Sequence, residues 1–263
     1  MSEQDVIYQL DSNGVASVTL NRPEVHNAFN DEVVAALHEC FDRAGKDPAV
    51  RALLLRGAGK SFCAGGDMNW MKRMANYSYE ENLQDSRGIA AMLRALNELP
   101  KTTIALVQGA AYGGGVGLAA CCDITVATPR AAFCLSEVKV GMIPATISPY
   151  VARAIGQRAA RRYFTTAEVI NAQRGFELGL VSEIFDSEET ALAFISKLAD
   201  GVVRNGPAAV ANAKRLAFDL TDRPLSDELI EESSQRIART RDSDEGREGL
   251  SAFLEKRTPN WIS

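Results

Sequence analysis

The chain has 263 residues, 46% of them hydrophobic and 24% charged, with a formal net charge of −5. That composition can bury a sizeable core in one large domain or two modest ones, offers no basic footprint for nucleic acid, and contains no apolar run near the ~18 residues of a membrane span. The opening Met1-Ser2-Glu3-Gln4-Asp5 lacks the basic start and apolar stretch of a secretory leader; five cysteines without a CxxC pair and two histidines predict reduced thiols, no metal site and a cytoplasmic protein.

The first elements read as a β-hairpin, with strands Val6 to Leu10 and Val15 to Leu20 and a turn at Asp11-Ser12-Asn13-Gly14. Asn30-Asp31 caps a helix to about Arg43, with Val33, Val34, Leu37, Cys40 and Phe41 on its buried face. Ala52 to Leu55 is a short buried strand. A polar, mobile stretch is predicted from Trp70 to Tyr79, then a helix from about Glu80 to Glu98. Thr103 to Gln108 is the next strand, after which a glycine run opens a short helix. Ile124 to Ala127 and Ala132 to Cys134 follow as strands. Strand–helix alternation of this kind predicts a parallel sheet with right-handed crossovers. Beyond Pro149 the character changes: Glu188 to Arg204, Pro207 to Leu220, Ser226 to Thr240 and Glu245 to Arg257 read as helices, with Leu180 to Ile184 a remaining strand candidate. An α/β core therefore precedes an α-helical tail.

Three segments point to chemistry. Ser61-Phe62-Cys63-Ala64-Gly65-Gly66-Asp67 and Gly109-Ala110-Ala111-Tyr112-Gly113-Gly114-Gly115-Val116-Gly117 each follow a strand, and Glu137 lies in Phe133-Cys134-Leu135-Ser136-Glu137-Val138. Glycine lets backbone approach a ligand closely, and a helix opening aims unpaired N–H groups at an oxygen bearing negative charge. Two such segments can hold one oxyanion between them, leaving a carboxylate to move the proton. The apolar neighbours Leu135 and Val138 predict partial burial of Glu137, which raises a carboxyl pKa and suits it to proton transfer. Asp67 reads as a helix cap or loop acceptor rather than a metal ligand. Gly57-Ala58-Gly59-Lys60-Ser61 lacks the first glycine of a phosphate-binding P-loop, and the glycine run fails GxGxxG in every register. Neither His26 nor His38 has a serine or cysteine partner at a recognisable spacing, so a nucleophilic triad is not predicted.

Asn21-Arg22-Pro23…Asn27-Ala28, Phe62-Cys63-Ala64-Gly65-Gly66-Asp67, Gly109…Gly113-Gly114-Gly115, Cys122-Asp123-Ile124, Phe133…Glu137…Gly141-Met142-Ile143-Pro144 and Ala252-Phe253-Leu254-Glu255-Lys256-Arg257 come in an order and spacing that resemble the enoyl-CoA hydratase/isomerase superfamily, the crotonases. Within it, Ala110 to Leu118 together with Ile143 to Tyr150 look most like bacterial methylglutaconyl-CoA and isohexenylglutaconyl-CoA hydratases, enzymes of leucine and acyclic terpene breakdown. The resemblance implies a crotonase-like (ClpP/crotonase) α/β fold, a spiral core of β-β-α units over residues 1–195 with a C-terminal helical trimerisation region over 196–263. It implies that the amides of Ala64 and Gly114 grip the thioester carbonyl of an acyl-CoA and that Glu137 handles the proton. Val25, His26, Ala64, Gly65, Gly66, Asp67 and Met68 would border coenzyme A, which enters only as part of the substrate. Phe253 and Lys256 would close over it, often from a neighbouring subunit of a homotrimer or homohexamer, and Gly117 and Tyr112 would line the substrate pocket. One departure matters: hydratases of this kind commonly carry a second glutamate three residues past the middle glycine of the triplet, and here that residue is Gly117. The expectation is hydration of a branched 2-enoyl-CoA such as 3-methylglutaconyl-CoA, with isomerisation through Glu137 alone as the alternative. A substrate with its own distal carboxylate could share the proton work, and Lys72 or Arg73 could meet that carboxylate.

Overall fold

A computed structural model describes residues 4–262; Met1 to Glu3, part of the opening segment read above for a leader, and Ser263 lie outside the described residues. The hairpin forms as expected, with β1 (Val6–Leu10) antiparallel to β2 (Val15–Leu20). The helix α1 (Asp31–Lys46) follows, capped by Asn30, whose side chain accepts from Val33 N–H at 2.9 Å. Next come β3 (Ala52–Gly57), α2 (Met68–Met74), α3 (Tyr79–Asn97), β4 (Thr102–Val107), β5 (Ala110–Tyr112), α4 (Gly114–Cys121), β6 (Ile124–Ala127) and β7 (Ala132–Cys134). The remainder is α5 (Ser148–Thr166), β8 (Ile170–Asn171), α6 (Ala172–Leu178), β9 (Glu183–Ile184), α7 (Glu188–Val203), α8 (Pro207–Leu220), α9 (Asp227–Asp242) and α10 (Asp244–Glu255).

The strands form a six-stranded sheet of order β1-β2-β3-β4-β6-β9, parallel from β2 onward, and a three-stranded sheet β5-β7-β8. Register explains where function can sit. Leu20 pairs with Gly57, Arg56 with Leu106, and Val107 with Ala127, so β2, β3, β4 and β6 end along one edge. The carboxyl ends of parallel strands are where open α/β sheets expose their loops to ligands. From that edge leave Asn21 to Phe29, Ala58 to Asp67 and the glycine run. In the small sheet Tyr112 pairs in parallel with Cys134. Gly113 and Glu137 therefore depart from neighbouring strand ends.

The core has two layers. Leu37, Phe41, Leu53, Leu55, Met92, Leu96 and Phe133 are fully buried in the larger cluster, and Leu54, Ile104, Leu106, Val126, Ala191 and Ile195 fill the smaller one beneath α7. The division at 195/196 falls inside α7, directly after the buried Ile195. All five cysteines are free, and burial pushes the Cys63 and Cys122 thiols up to about 12, as inert packed groups.

Three expectations change. The stretch predicted as polar and mobile from Trp70 begins within α2, because Asp67 caps it through Asn69 N–H at 2.7 Å and Trp70 is buried against the ring of Phe29. The region after Pro149 holds two further helices, α5 and α6. In α5 the non-helical Gly156 (φ 76°) breaks the apolar period that would have revealed the helix, although Val151, Ile155, Ala160 and Tyr163 are buried. The strand candidate Leu180 to Ile184 shrinks to Glu183–Ile184, with Leu180 and Val181 packed into the core ahead of it.

Candidate active site

The two glycine segments meet backbone to backbone. Tyr112 N–H donates to Cys63 O at 2.8 Å, and the N–H groups of Phe62 and Cys63 both donate to Ala110 O at 3.0 Å. A methyl placed on Gly115 would stand 2.5 Å from Cys63 O, closer than a side chain tolerates. Gly65 has φ 92°, a conformation that disfavours any Cβ, and a methyl there would lie 3.0 Å from Tyr112 O. These contacts bring residues 65 and 113 within van der Waals reach.

Glu137 opens a 3₁₀ turn, Glu137–Val140, that ends at Gly141 in the left-handed region. Its Oε1 stands 3.2 Å from where a methyl on Gly113 would sit, and its buried Oε2 meets no partner among the described residues. Burial pushes the carboxyl above the ordinary glutamate range, only partly offset by its own backbone N–H. A half-buried carboxyl against Gly113, with one oxygen unpartnered among the described residues, is able to exchange a proton.

The donor assignment needs one correction. Ala64 N–H, expected at the oxyanion, donates to His26 O at 3.0 Å and is therefore spent. Phe29 pairs with Gly66 in an isolated parallel bridge, in which Phe29 N–H donates to Gly65 O and Asp67 N–H to Phe29 O. That pattern turns the N–H of Gly66 away from Phe29, and it meets no acceptor among the described residues. Gly114 stands at the first position of α4, where an amide has no intrahelical partner, and its N–H is likewise unpaired. Gly66 and Gly114 each carry an amide without an acceptor among the described residues, as does Gly115 at the next position of α4.

Around them the predicted site residues divide. Asp67 is a buried cap: it accepts from Asn69 and Trp70 N–H and pairs with Arg22 Nη2 at 3.0 Å. Burial alone would raise its carboxyl, but those amides and Arg22 hold it below its ordinary value. Val25 and His26 are exposed beside the first segment, with His26 Nδ1 3.1 Å from Ser61 Oγ, a pairing that sequence spacing did not reveal. Met68 is exposed at the start of α2, and Tyr112 is half-buried on β5. Phe253 and Lys256 are not brought to the glycines by their own chain; they lie at the exposed end of α10, which packs chiefly on α9 and α8.

Gly117 is buried one turn into α4, and a methyl on it would stand 2.2 Å from Ile147 Cγ2 and 3.5 Å from Leu93 Cδ2. The place of a second acid is filled by hydrocarbon. Ile147 was not legible in the sequence as a site residue, nor was Phe29, whose ring seats under Gly114. Of the proposed carboxylate partners, Arg73 is committed to Asp31 at 2.5 Å, while Lys72 is exposed on α2. Among the described residues no cluster of three His, Cys, Asp or Glu side chains could hold a metal, and no helix is long and apolar enough to cross a membrane.

A protein-family model described as enoyl-CoA hydratase/isomerase matches residues 11–263. The (E)-benzylidenesuccinyl-CoA hydratase of Thauera aromatica is 35% identical over 94% of this chain and 95% of its own. The crotonyl-CoA hydratase of Syntrophomonas wolfei is 31% identical over the whole of both chains. A crystal structure of an enoyl-CoA hydratase from Shewanella pealeana superposes with a TM-score of 0.94 at 43% identity, covering 98% of this chain and 96% of that one.

Proposed function

The chain belongs to the enoyl-CoA hydratase/isomerase family, and from that premise we propose that it hydrates the 2,3 double bond of a branched enoyl-CoA carrying a second carboxylate, such as 3-methylglutaconyl-CoA. An enoyl-CoA hydratase-type reaction on an acyl-CoA accords with its relatives. The observation that carries the mechanism is the Glu137 carboxyl, with Oε1 against Gly113 and Oε2 unpartnered, in a site whose glycine segments bear the unpaired amides of Gly66 and Gly114.

In this reading the N–H groups of Gly66 and Gly114 receive the thioester oxygen. Glu137 takes a proton from water as the water oxygen bonds to C3, and the π electrons move through C2 onto the thioester oxygen. The proton then passes from Glu137 to C2 as the enolate collapses, so one water is added in total. Each preorganised amide is worth about 3–4 kcal/mol to the enolate-like transition state. The branched, dicarboxylic substrate is supported by the motifs Ala110 to Leu118 and Ile143 to Tyr150 and by a relative whose named substrate is a succinyl thioester. Exposed Lys72, whose neighbour Arg73 is already paired, is the candidate for the distal carboxylate.

Gly117, with Ile147 and Leu93 filling the space of a second acid, favours a second reading. With one carboxylate, Glu137 can remove a proton from one carbon and return it to another, which isomerises the double bond without water. Incubation with 3-methylglutaconyl-CoA and crotonyl-CoA in oxygen-18 water separates the two. Label in a hydroxyacyl product supports hydration; interconversion of these 2-enoyl thioesters with their 3-enoyl isomers without label establishes the isomerase. The same proposal includes a homotrimer or homohexamer, with Leu250, Phe253 and Leu254 of α10, each more than half exposed, covered by a second copy. Light scattering on the purified protein reads that state directly.

A further inference from the structure

We propose that Gln108 is a positioning residue for this reaction, fastening the loop that presents the Gly66 amide to the strand end that leads to Gly114. The inference rests on the oxyanion reading above. Gln108 is buried, one residue past β4 and directly ahead of the glycine run. Its Nε2 donates to Gly57 O at 2.8 Å and to Gly59 O and Ser61 O at 3.1 Å each. From the other side Asn27 Nδ2 donates to Ala58 O and to the same Ser61 O, both at 2.8 Å. The backbone of residues 57–61 thus turns its carbonyls inward onto two side-chain amides, the reverse of a P-loop, whose N–H groups face the ligand.

The chemistry leaves Gln108 a single useful orientation. Flipping the amide would set Oε1 against three carbonyl oxygens, so the nitrogen must face them, even though Oε1 is then buried without a partner among the described residues. A buried acceptor left unsatisfied is destabilising. The fold tolerates that cost at the joint between the two halves of the site. Asn27 secures the loop to the segment before α1, whereas Gln108 adds to the backbone bonds of Phe62, Cys63 and Tyr112 the one side-chain tie, among the described residues, between the loop and the strand end that leads to the second glycine segment. Shifting the loop would separate Gly66 from Gly114 and weaken the grip on a developing oxyanion more than the grip on coenzyme A.

A chromophoric probe, the coenzyme A thioester of 4-dimethylaminocinnamic acid, reports that grip because hydrogen bonds to its carbonyl move its absorption to the red. The wild-type protein must show the red shift on binding; its absence overturns the oxyanion reading and this inference with it. Given the wild-type shift, Gln108→Met, which keeps volume and loses the donors, is expected to lose most of the shift. Its kcat should fall about tenfold to a hundredfold, the scale of a small misplacement, with KM for the acyl-CoA within twofold. A retained shift with kcat within twofold of wild type overturns the role of Gln108 and leaves the oxyanion reading standing. Should Gln108→Met fail to fold, Gln108→Glu decides: its carboxyl donates one hydrogen when protonated and none when ionised. Recovery of the shift and of kcat relative to wild type as pH falls supports positioning, and a shift ratio independent of pH refutes it.

Discussion

Helices α4 and α10 are opposite solutions to holding a helix in place. Of the eight residues of α4, six are buried, none is charged, and its glycines let Cys63 O and the ring of Phe29 lie against its backbone. Of the twelve residues of α10 only Ala252 is buried. That helix is held by the Ser243 cap, and its exit by Arg257, which reaches Glu248 at 2.7 Å. Nearby, Glu245 caps α8 through the N–H groups of Ala208 and Ala209. Close packing around α4 makes every added atom costly and every position reproducible. Exposed polar pairs around α10 are individually weak and adjustable. Precision is concentrated around the glycine segments and Glu137, and the tail leaves Leu250, Phe253 and Leu254 exposed.

The sharpest break comes at the carboxyl. Glu137→Gln should lower kcat by about 10²–10⁴-fold, the range for a lost general acid–base, while the affinity for an acyl-CoA measured by calorimetry changes little. Its pH behaviour follows from burial. Because the folded protein raises the carboxyl above its unfolded value, the proton it holds stabilises the fold in acid, and that stabilisation is lost as pH rises through the raised value. Thermal melts should therefore show Glu137→Gln more stable than the parent at neutral pH and equal to it in acid. The acid limb of kcat/KM for the parent should lie above the usual glutamate range.

Around α4 itself, Gly115→Ala drives a methyl into Cys63 O. Overpacking of this kind costs about 1–3 kcal/mol, read from urea melts, and should lower kcat by spreading the two glycine segments. Gly117→Glu should not simply supply a second acid, since Ile147 occupies its space; pairing it with Ile147→Ala sharpens that test through crotonyl-CoA hydration.

Asp67→Ala removes a cap worth about 1–2 kcal/mol and leaves Arg22 with the exposed Asp5, at 3.3 Å, as its remaining ion-pair partner among the described residues, besides the Ala28 carbonyl. Here the sign is reversed. The folded protein lowers the Asp67 carboxyl, so its stabilisation is present above the unfolded value and lost as pH falls through the lowered one. Urea midpoints of variant and parent should converge in acid. The smallest effect belongs to the tail: Arg257→Ala should lower the urea midpoint only slightly, since exposed ion pairs are weak. Hydrogen exchange in α10 should speed up in molar salt, which screens its pairs, while exchange in α4 stays unchanged.

Much of this was readable one residue at a time. The hairpin, the capped α1, the strands of the large sheet and the α-helical tail follow from local periodicity and from Asn30 and Gly14. The glycine segments and Glu137 stood out because their residue types fit few other purposes. The helix α5 escaped because Gly156 interrupts its period, and α2 because a short helix needs Asp67 and a buried Trp70 that only folding supplies.

What the chain order determined by itself is the set of parts: which strands are apolar, where helices start, and which segments carry free amides and a lone acid. Which amide is free was decided in three dimensions, since His26 O takes the Ala64 N–H and a bridge to Phe29 releases that of Gly66. The same holds for the hydrocarbon beside Gly117 and for the three carbonyls gathered on Gln108. Local preferences act over a few residues and are visible in a string, whereas a hydrogen bond or a collision between residues far apart exists only once the backbone has brought them together.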